Sequence, residues 1–224
     1  MRGAWYQMQA NDVIHSLETS HNGLSNAAAT ERLGIHGPNE IEFKKTPAWV
    51  RFLRQFHDPM VIILLVTAVV TGTLTAFGSH MLPDTIVIIS VVLLNAVLGF
   101  VQEGKAEGAL DALRSMMVPE CLVIRDGEQQ RIPALNLVPG DIVVMEGGDK
   151  IPADVRFFEA SNLHVDESSL TGESVPVRKR VEAINGQDLV PGDQINMGFS
   201  GTYLTQGASR AVVVETGGHT VFGR

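Results

Sequence analysis

Two uncharged runs constrain this chain more than anything else in it. From Met60 to Ser79 about 20 residues pass without an ionisable side chain, and about 18 more do so from Thr85 to Gln102; each run is long enough to cross a hydrocarbon core as a helix. A buried two-helix core in a soluble domain is the alternative, and the combined length argues against it. His80-Met81-Leu82-Pro83-Asp84 is a short connector, so the runs are expected to form a hairpin with the lipid bilayer as its partner. Lys44, Lys45, Arg51 and Arg54 precede the first run, Lys105 and Arg114 follow the second, and the connector has no Lys or Arg. Positive flanks stay cytoplasmic, which places both ends inside and the connector outside.

Within the runs, Gly72 with Thr67, Thr71, Thr73 and Thr75 allows close helix approach. Asn95, near the middle of the second run, is expected to bond another helix. Neither run carries a central acidic residue. A hard cation needs oxygen ligands, usually carboxylates, so the hairpin alone is not a complete ion path.

Before the hairpin, Asn11 is placed to cap a helix that buries Val13, Ile14 and Leu17 and ends at His21-Asn22-Gly23. Ser25 is placed to cap a second, through Ala28, Ala29 and Leu33, ending at Gly34. Gly37-Pro38-Asn39 then breaks the chain. After Gln102 the helical pattern continues through Glu103, Lys105, Ala106, Glu107, Ala109, Leu110 and Leu113 as a stalk, which Met117-Val118-Pro119 ends.

From Glu120 the period changes to two. Cys121–Arg125, the turn Asp126-Gly127, and Glu128–Ile132 predict a hairpin. Val138-Pro139-Gly140-Asp141 turns into a strand over Ile142–Met145, and further strands are expected at Ala153–Phe158, Leu163–Val165, Gly198–Leu204 and Ser209–Glu215. Arg178 to Asp193 reads as a polar loop. The fold class is an α+β membrane protein: N-terminal helices over 1–55, a transmembrane hairpin with stalk over 56–118, and an antiparallel β sandwich or jelly-roll-like domain over 119–224.

Chemistry concentrates in Leu170-Thr171-Gly172-Glu173-Ser174-Val175-Pro176-Val177-Arg178-Lys179. Gly172 and Pro176 oppose helix and central strand, so the run reads as an exposed loop with Glu173 at its tip. Gly172 lets backbone approach a bulky anion, and Thr171 and Ser174 offer hydroxyls beside it. This constellation suits work on a phosphorylated group carried elsewhere. Asp149 and Asp154 read as turn and strand-edge residues, and Asp166 and Glu167 as solvated surface. The formal charge of −8, from 25 acidic and 17 basic residues, argues against a nucleic-acid partner. The single cysteine, Cys121, excludes an internal disulfide, and no metal-ligand spacing is present. The N-terminus lacks the basic stretch and apolar core of a secretory signal.

These landmarks together resemble the P-type cation-transporting ATPases. They are Gly37-Pro38-Asn39-Glu40-Ile41, the Asn95–Glu103 end of the second run, Val138-Pro139-Gly140-Asp141, and Gly148–Asp154. In order behind them come Thr171-Gly172-Glu173-Ser174, Asn196–Thr202, Thr216-Gly217-Gly218-His219-Thr220 and Gly223-Arg224. The resemblance covers about Trp5 to Arg224 and leans to the calcium-pump-like group, with sodium, proton and magnesium also compatible. It implies the first two membrane helices and the actuator domain of a multi-pass pump in a bacterial plasma membrane, with the β domain cytoplasmic. In this family ATP phosphorylates an aspartate, and the actuator's TGES loop then reaches the aspartyl phosphate. By that resemblance Glu173 is the catalytic carboxylate, with Thr171, Gly172 and Ser174 around it.

The family phosphorylates an aspartate within Asp-Lys-Thr-Gly-Thr, a run this chain lacks; Asp149-Lys150 is followed by Ile151. No glycine-rich nucleotide loop is present either. ATP and Mg2+ are therefore expected at the other domains of a full-length enzyme, and no cofactor or metal in this chain. The partners expected are those missing membrane, phosphorylation and nucleotide-binding domains. The chain is expected to be a fragment: a truncated product, an incomplete sequence, or one half of a split pump. A membrane-anchored regulatory module or an inactive remnant is the alternative.

Overall fold

Asp126 and Gly127 both take left-handed backbone angles, φ 52° and 79°, which suits a two-residue turn matching the twist of its strands. They join β1 (Glu120–Arg125) to β2 (Glu128–Pro133), as the sequence predicts. This computed structural model describes residues 4–41, 46–78, 82–116 and 119–224. The chain falls into two units, Met1–Glu42 with Val118–Arg224, and Phe43–Met117.

In the first unit, β3 (Ile142–Glu146), β4 (Asp154–Asp166), β5 (Val177–Arg178), β6 (Met197–Gly198) and β7 (Tyr203–Glu215) complete one antiparallel sheet. Its order is β2-β1-β3-β7-β4-β5, with β6 on β4. The residues expected as two separate strands, 153–158 and 163–165, form one 13-residue strand. Likewise β7 runs unbroken from Tyr203, and the strand expected over 198–204 is interrupted between Gly198 and Tyr203, with a turn at 200–201. The polar stretch Glu159–Asn162 looks like a loop in sequence, but Glu159, Ala160 and Ser161 keep their pairing with β7 and the register shifts around them, between Phe157 and Glu159 and between Ser161 and His164. Gly207 answers that irregularity: its φ is +91°, and a Cβ there would collide with the carbonyls of Ser161 and Asn162.

Alternation sends the two faces of the sheet into two cores. Val123, Val143, Phe157, Leu163, Val165 and Val213 belong to one. Ile124, Ile142, Val212 and Val214 belong to the other, where Tyr6, Val13 and Ile14 cover them. The N-terminal segment therefore packs on the sheet through α1 (Ala10–Ser16) and the turn Trp5–Gln7. Gln9, not Asn11, precedes α1, and no side chain caps it; Asn11 lies inside the helix and meets His21 at 3.2 Å. Ser25 does cap α2 (Asn26–His36), accepting from the Ala28 amide at 3.1 Å. That helix runs through Gly34 and stops at Gly37, whose φ of 74° is the left-handed terminator that Gly34 does not supply.

The second unit holds α3 (Ala48–Arg54), α4 (Pro59–Ala76) and α5 (Leu82–Met116). Asp58 caps α4, accepting from the Met60 amide at 2.8 Å. Helix α5 absorbs the second run and the stalk together, and begins at Leu82 within the expected connector. Lys44, Lys45, Ser79, His80, Met81, Met117 and Val118, on which parts of the flank, connector and stalk-end readings rest, lie outside the described residues. Where α4 meets α5, Thr85 donates to Thr71 at 2.9 Å and Gly72 faces the Thr85 methyl. Thr67 and Thr73 instead donate to carbonyls of their own helix. Asn95 is exposed on the surface of α5. Only 11 % of each apolar stretch is buried, so these side chains point outward as a lipid-facing surface does, and not inward as a soluble core would.

Candidate functional site

Strand β4 ends at Asp166, β5 begins at Val177, and the two strands pair antiparallel through only His164↔Arg178 and Val165↔Val177. The connection between them carries the motif. Its first leg is a single helical turn, α6 (Ser168–Thr171), so Leu170 and Thr171 are helical where the sequence reading has loop. The Asp166 carboxylate accepts from the Ser168 amide at 2.9 Å and starts that turn; this hydrogen bond holds the Asp166 carboxyl below its ordinary range. Gly172 ends the turn in the left-handed region, at φ 78° and ψ −1°. A Cβ there would meet no neighbouring atom, so the glycine is required by conformation and leaves open space beside it.

Thr171, Gly172, Glu173 and Ser174 are all exposed. The Glu173 amide donates to Thr171 Oγ1 at 3.2 Å, and Thr171 Oγ1 donates to the Glu167 carbonyl at 3.1 Å. Thr171 thus faces inward along its own leg and sets the backbone at Glu173, whose side chain stands in solvent. Behind the loop, the turn Pro191–Asp193 packs against α6, with Gly192 close to the Thr171 methyl. Val175 and Val190 are exposed apolar side chains, one on the loop and one beside that turn.

Glu167 corrects the reading of a solvated surface. It is 1 % exposed, and its Oε1 meets the buried Lys179 ammonium at 2.5 Å. Burial pushes the Glu167 carboxyl up and the Lys179 ammonium down, and each partner pulls the other back towards its charged form. A Glu and a Lys twelve positions apart carry no periodic signal, and only the pairing of β4 with β5 brings them together.

The other landmarks turn out to be joints. Asn39 donates to the carbonyls of Ala134 at 3.0 Å and Pro152 at 2.9 Å, and accepts from the Gly217 amide at 2.8 Å. Asp141 takes a two-pronged hydrogen bond from Arg125, at 2.8 and 2.6 Å, inside the domain. Asp149 accepts from the Glu146 amide in its turn. Asp154 is buried and accepts from the Ser200 amide at 2.9 Å and the Val221 amide at 2.7 Å. Burial lifts its carboxyl to about 6, against the downward pull of those two donors. Among the described residues no group of three metal-ligating side chains converges.

An exposed carboxylate on a short, glycine-terminated turn, beside a domain held by buried polar joints, matches known proteins over most of the chain. The P-type ATPase actuator domain matches residues 115–224, and the cation transporter/ATPase N-terminus matches residues 5–71. The chain belongs to the P-type cation-transporting ATPase family. It is 42% identical over 222 residues to the calcium-transporting ATPase of Bacillus subtilis, covering 98% of this chain and 24% of that one. It is 44% identical over 216 residues to the cation-transporting ATPase pma1 of Synechocystis, covering 95% of this chain and 23% of that one. A calcium-transporting ATPase of Listeria monocytogenes is 40% identical over 220 residues, or 98% of this chain and 24% of its own. The chain thus spans 23–24% of the length of these curated relatives. As a P-type ATPase segment it comprises the N-terminal region, two helices apolar and long enough for a membrane, and the actuator sheet.

Proposed function

We propose that this chain is the N-terminal part of an ATP-driven cation pump, and that Glu173 promotes hydrolysis of an aspartyl phosphate carried on another domain. Hydrolysis of an acyl phosphate needs a water held opposite the leaving oxygen, and a carboxylate that orients this water and takes its proton supplies that. The observation that carries the reading is the exposure of Glu173 on a turn whose backbone is tied down at Thr171 and Glu167. The open space at Gly172 lets the turn approach the phosphoryl oxygens closely. Thr171 positions the turn from behind, and Ser174 stands beside the carboxylate as a hydroxyl donor. The working parts are 1–55, an N-terminal helical segment; 56–118, a hairpin that tethers the actuator to the bilayer; and 119–224, the actuator itself. ATP and Mg2+ act at domains beyond these residues. Both ends of the hairpin and the β domain face the cytoplasm.

The test is a pump in which these residues replace the matching quarter of the Bacillus subtilis relative. Glu173→Gln is expected to let phosphoenzyme form at the ordinary rate and to slow its decay by about 100-fold or more, the usual worth of a general base. Decay at the parental rate refutes the role.

A further inference from the structure

The hydrolysis reading uses the tip of the loop and leaves unexplained the charged pair sealed at its base. Glu167 directly follows β4, where the loop begins, and Lys179 lies just past β5 opposite Leu163, so the Lys179 side chain reaches back along the short ladder to the first residue of the loop. By the two-residue period Glu167 shares the inward face of Leu163 and Val165, which lie in the core. The Lys179 amide donates to the Leu163 carbonyl at 2.9 Å, and its ammonium lies 5.9 Å from the centre of the Phe199 ring.

Such a pair is an expensive way to fill a core. Two charges lose their hydration, and a well-packed apolar pair is often as stabilising or more so. The cost is visible here, since Glu167 Oε2 has no hydrogen-bond partner among the described residues. What an apolar pair does not give is one defined geometry, and this site needs one. The ladder between β4 and β5 has two rungs, too few to set the angle of the loop. Glu167 is also the point from which the motif hangs. Its carbonyl accepts from the Leu170 and Thr171 amides at 2.8 and 2.9 Å and from Thr171 Oγ1, which in turn receives the Glu173 amide. Any displacement of Glu167 passes to Glu173 through two hydrogen bonds.

We propose that Glu167 and Lys179 are a positioning pair for the Thr171–Ser174 loop, setting where Glu173 is presented. This rests on the hydrolysis reading for its consequence in turnover, but not for its consequence in the loop. Glu167→Gln keeps shape and removes the charge. In this chain, reconstituted in lipid nanodiscs, amide exchange at 172–175 is expected to rise about tenfold, the worth of one charged hydrogen bond, with 154–158 and 211–215 unchanged. In the chimaeric pump, phosphoenzyme decay is expected to slow by a similar factor at an unchanged rate of formation. Unchanged exchange in the loop overturns the proposal. So does exchange that rises equally in the strands, because the pair then only supports the fold. If Glu173→Gln decays normally while Glu167→Gln loosens the loop alone, the pair stands as a positioning device and the hydrolysis reading fails.

Discussion

Asp154 shows how a single side chain can hold the actuator sheet at a cost that depends on pH. Its two backbone donors come from 200 and 221, so one carboxylate fastens the start of β4 to two distant turns. Burial nevertheless dominates, and the folded pKa lies at about 6 against 3.8 for the free side chain. The native state therefore holds this proton more tightly than the unfolded chain does. That contribution is complete below about pH 4 and is lost as pH rises through about 6, by roughly 3 kcal/mol at most. Urea titrations in mild detergent are expected to show stability falling across that window, and Asp154→Asn to flatten the fall. An equal slope in both proteins assigns the linkage to another group. The sequence places Asp154 at a strand edge as a structural residue; its burial appears only when the turns at 200 and 221 fold onto it.

Between elements, the N-terminal strap is tied to the sheet by two buried polar side chains. Arg156 donates to the carbonyls of Trp5 at 3.2 Å, Met8 at 3.0 Å and Val181 at 2.9 Å. Asn196 donates to those of Tyr6 and Glu182, both at 2.8 Å. Burial lowers the guanidinium to about 10, which leaves it charged at neutral pH. A lysine lacks the planar fork that serves several carbonyls at once. Arg156→Lys is thus expected to cost about 2–3 kcal/mol, the range for losing charged hydrogen bonds in a buried place. Limited proteolysis is expected to cut first near residues 5–8, and cleavage no faster than in the parent chain contradicts the assignment. Much of this level was legible beforehand. The hairpin turn at Asp126-Gly127, the Ser25 cap and the apolar lengths of α4 and α5 follow from local rules that tertiary contacts do not disturb. The unbroken β4 and β7 were not legible, because Glu159–Asn162 and Gly207 have turn chemistry and the two strands stay paired there only through a bulge that skips Asn162 and Gly207. The exposed tip at Glu173 was legible for the same reason as the caps, since Gly172 and Pro176 impose it locally. The buried base at Glu167 and Lys179 depends on a register that no local pattern specifies.

At the scale of the whole molecule the open quantity is sidedness, and the chain has a favourable chemistry for measuring it. Its single thiol, Cys121, is partly buried beside the Ile132 carbonyl. Burial, helped by Asp141 and opposed by Arg125, pushes that thiol up to about 12. The thiolate is the reactive form, so Cys121 contributes almost no background at neutral pH. New cysteines can therefore report position without removing the native one. Phe77 follows the last residue of α4 with an ordinary backbone (φ −88°) and is 91% exposed, and Ser174 lies on the exposed loop of the actuator. If positive flanks keep both ends of the hairpin cytoplasmic, a membrane-impermeant maleimide added to intact cells labels Phe77→Cys and leaves Ser174→Cys untouched. Permeabilised cells label both. The opposite pattern inverts the hairpin and removes Glu173 from the compartment where ATP-derived phosphate is found. Labelling of both residues in intact cells means that the apolar helices do not cross the bilayer, and the actuator would then lack the tether proposed for it.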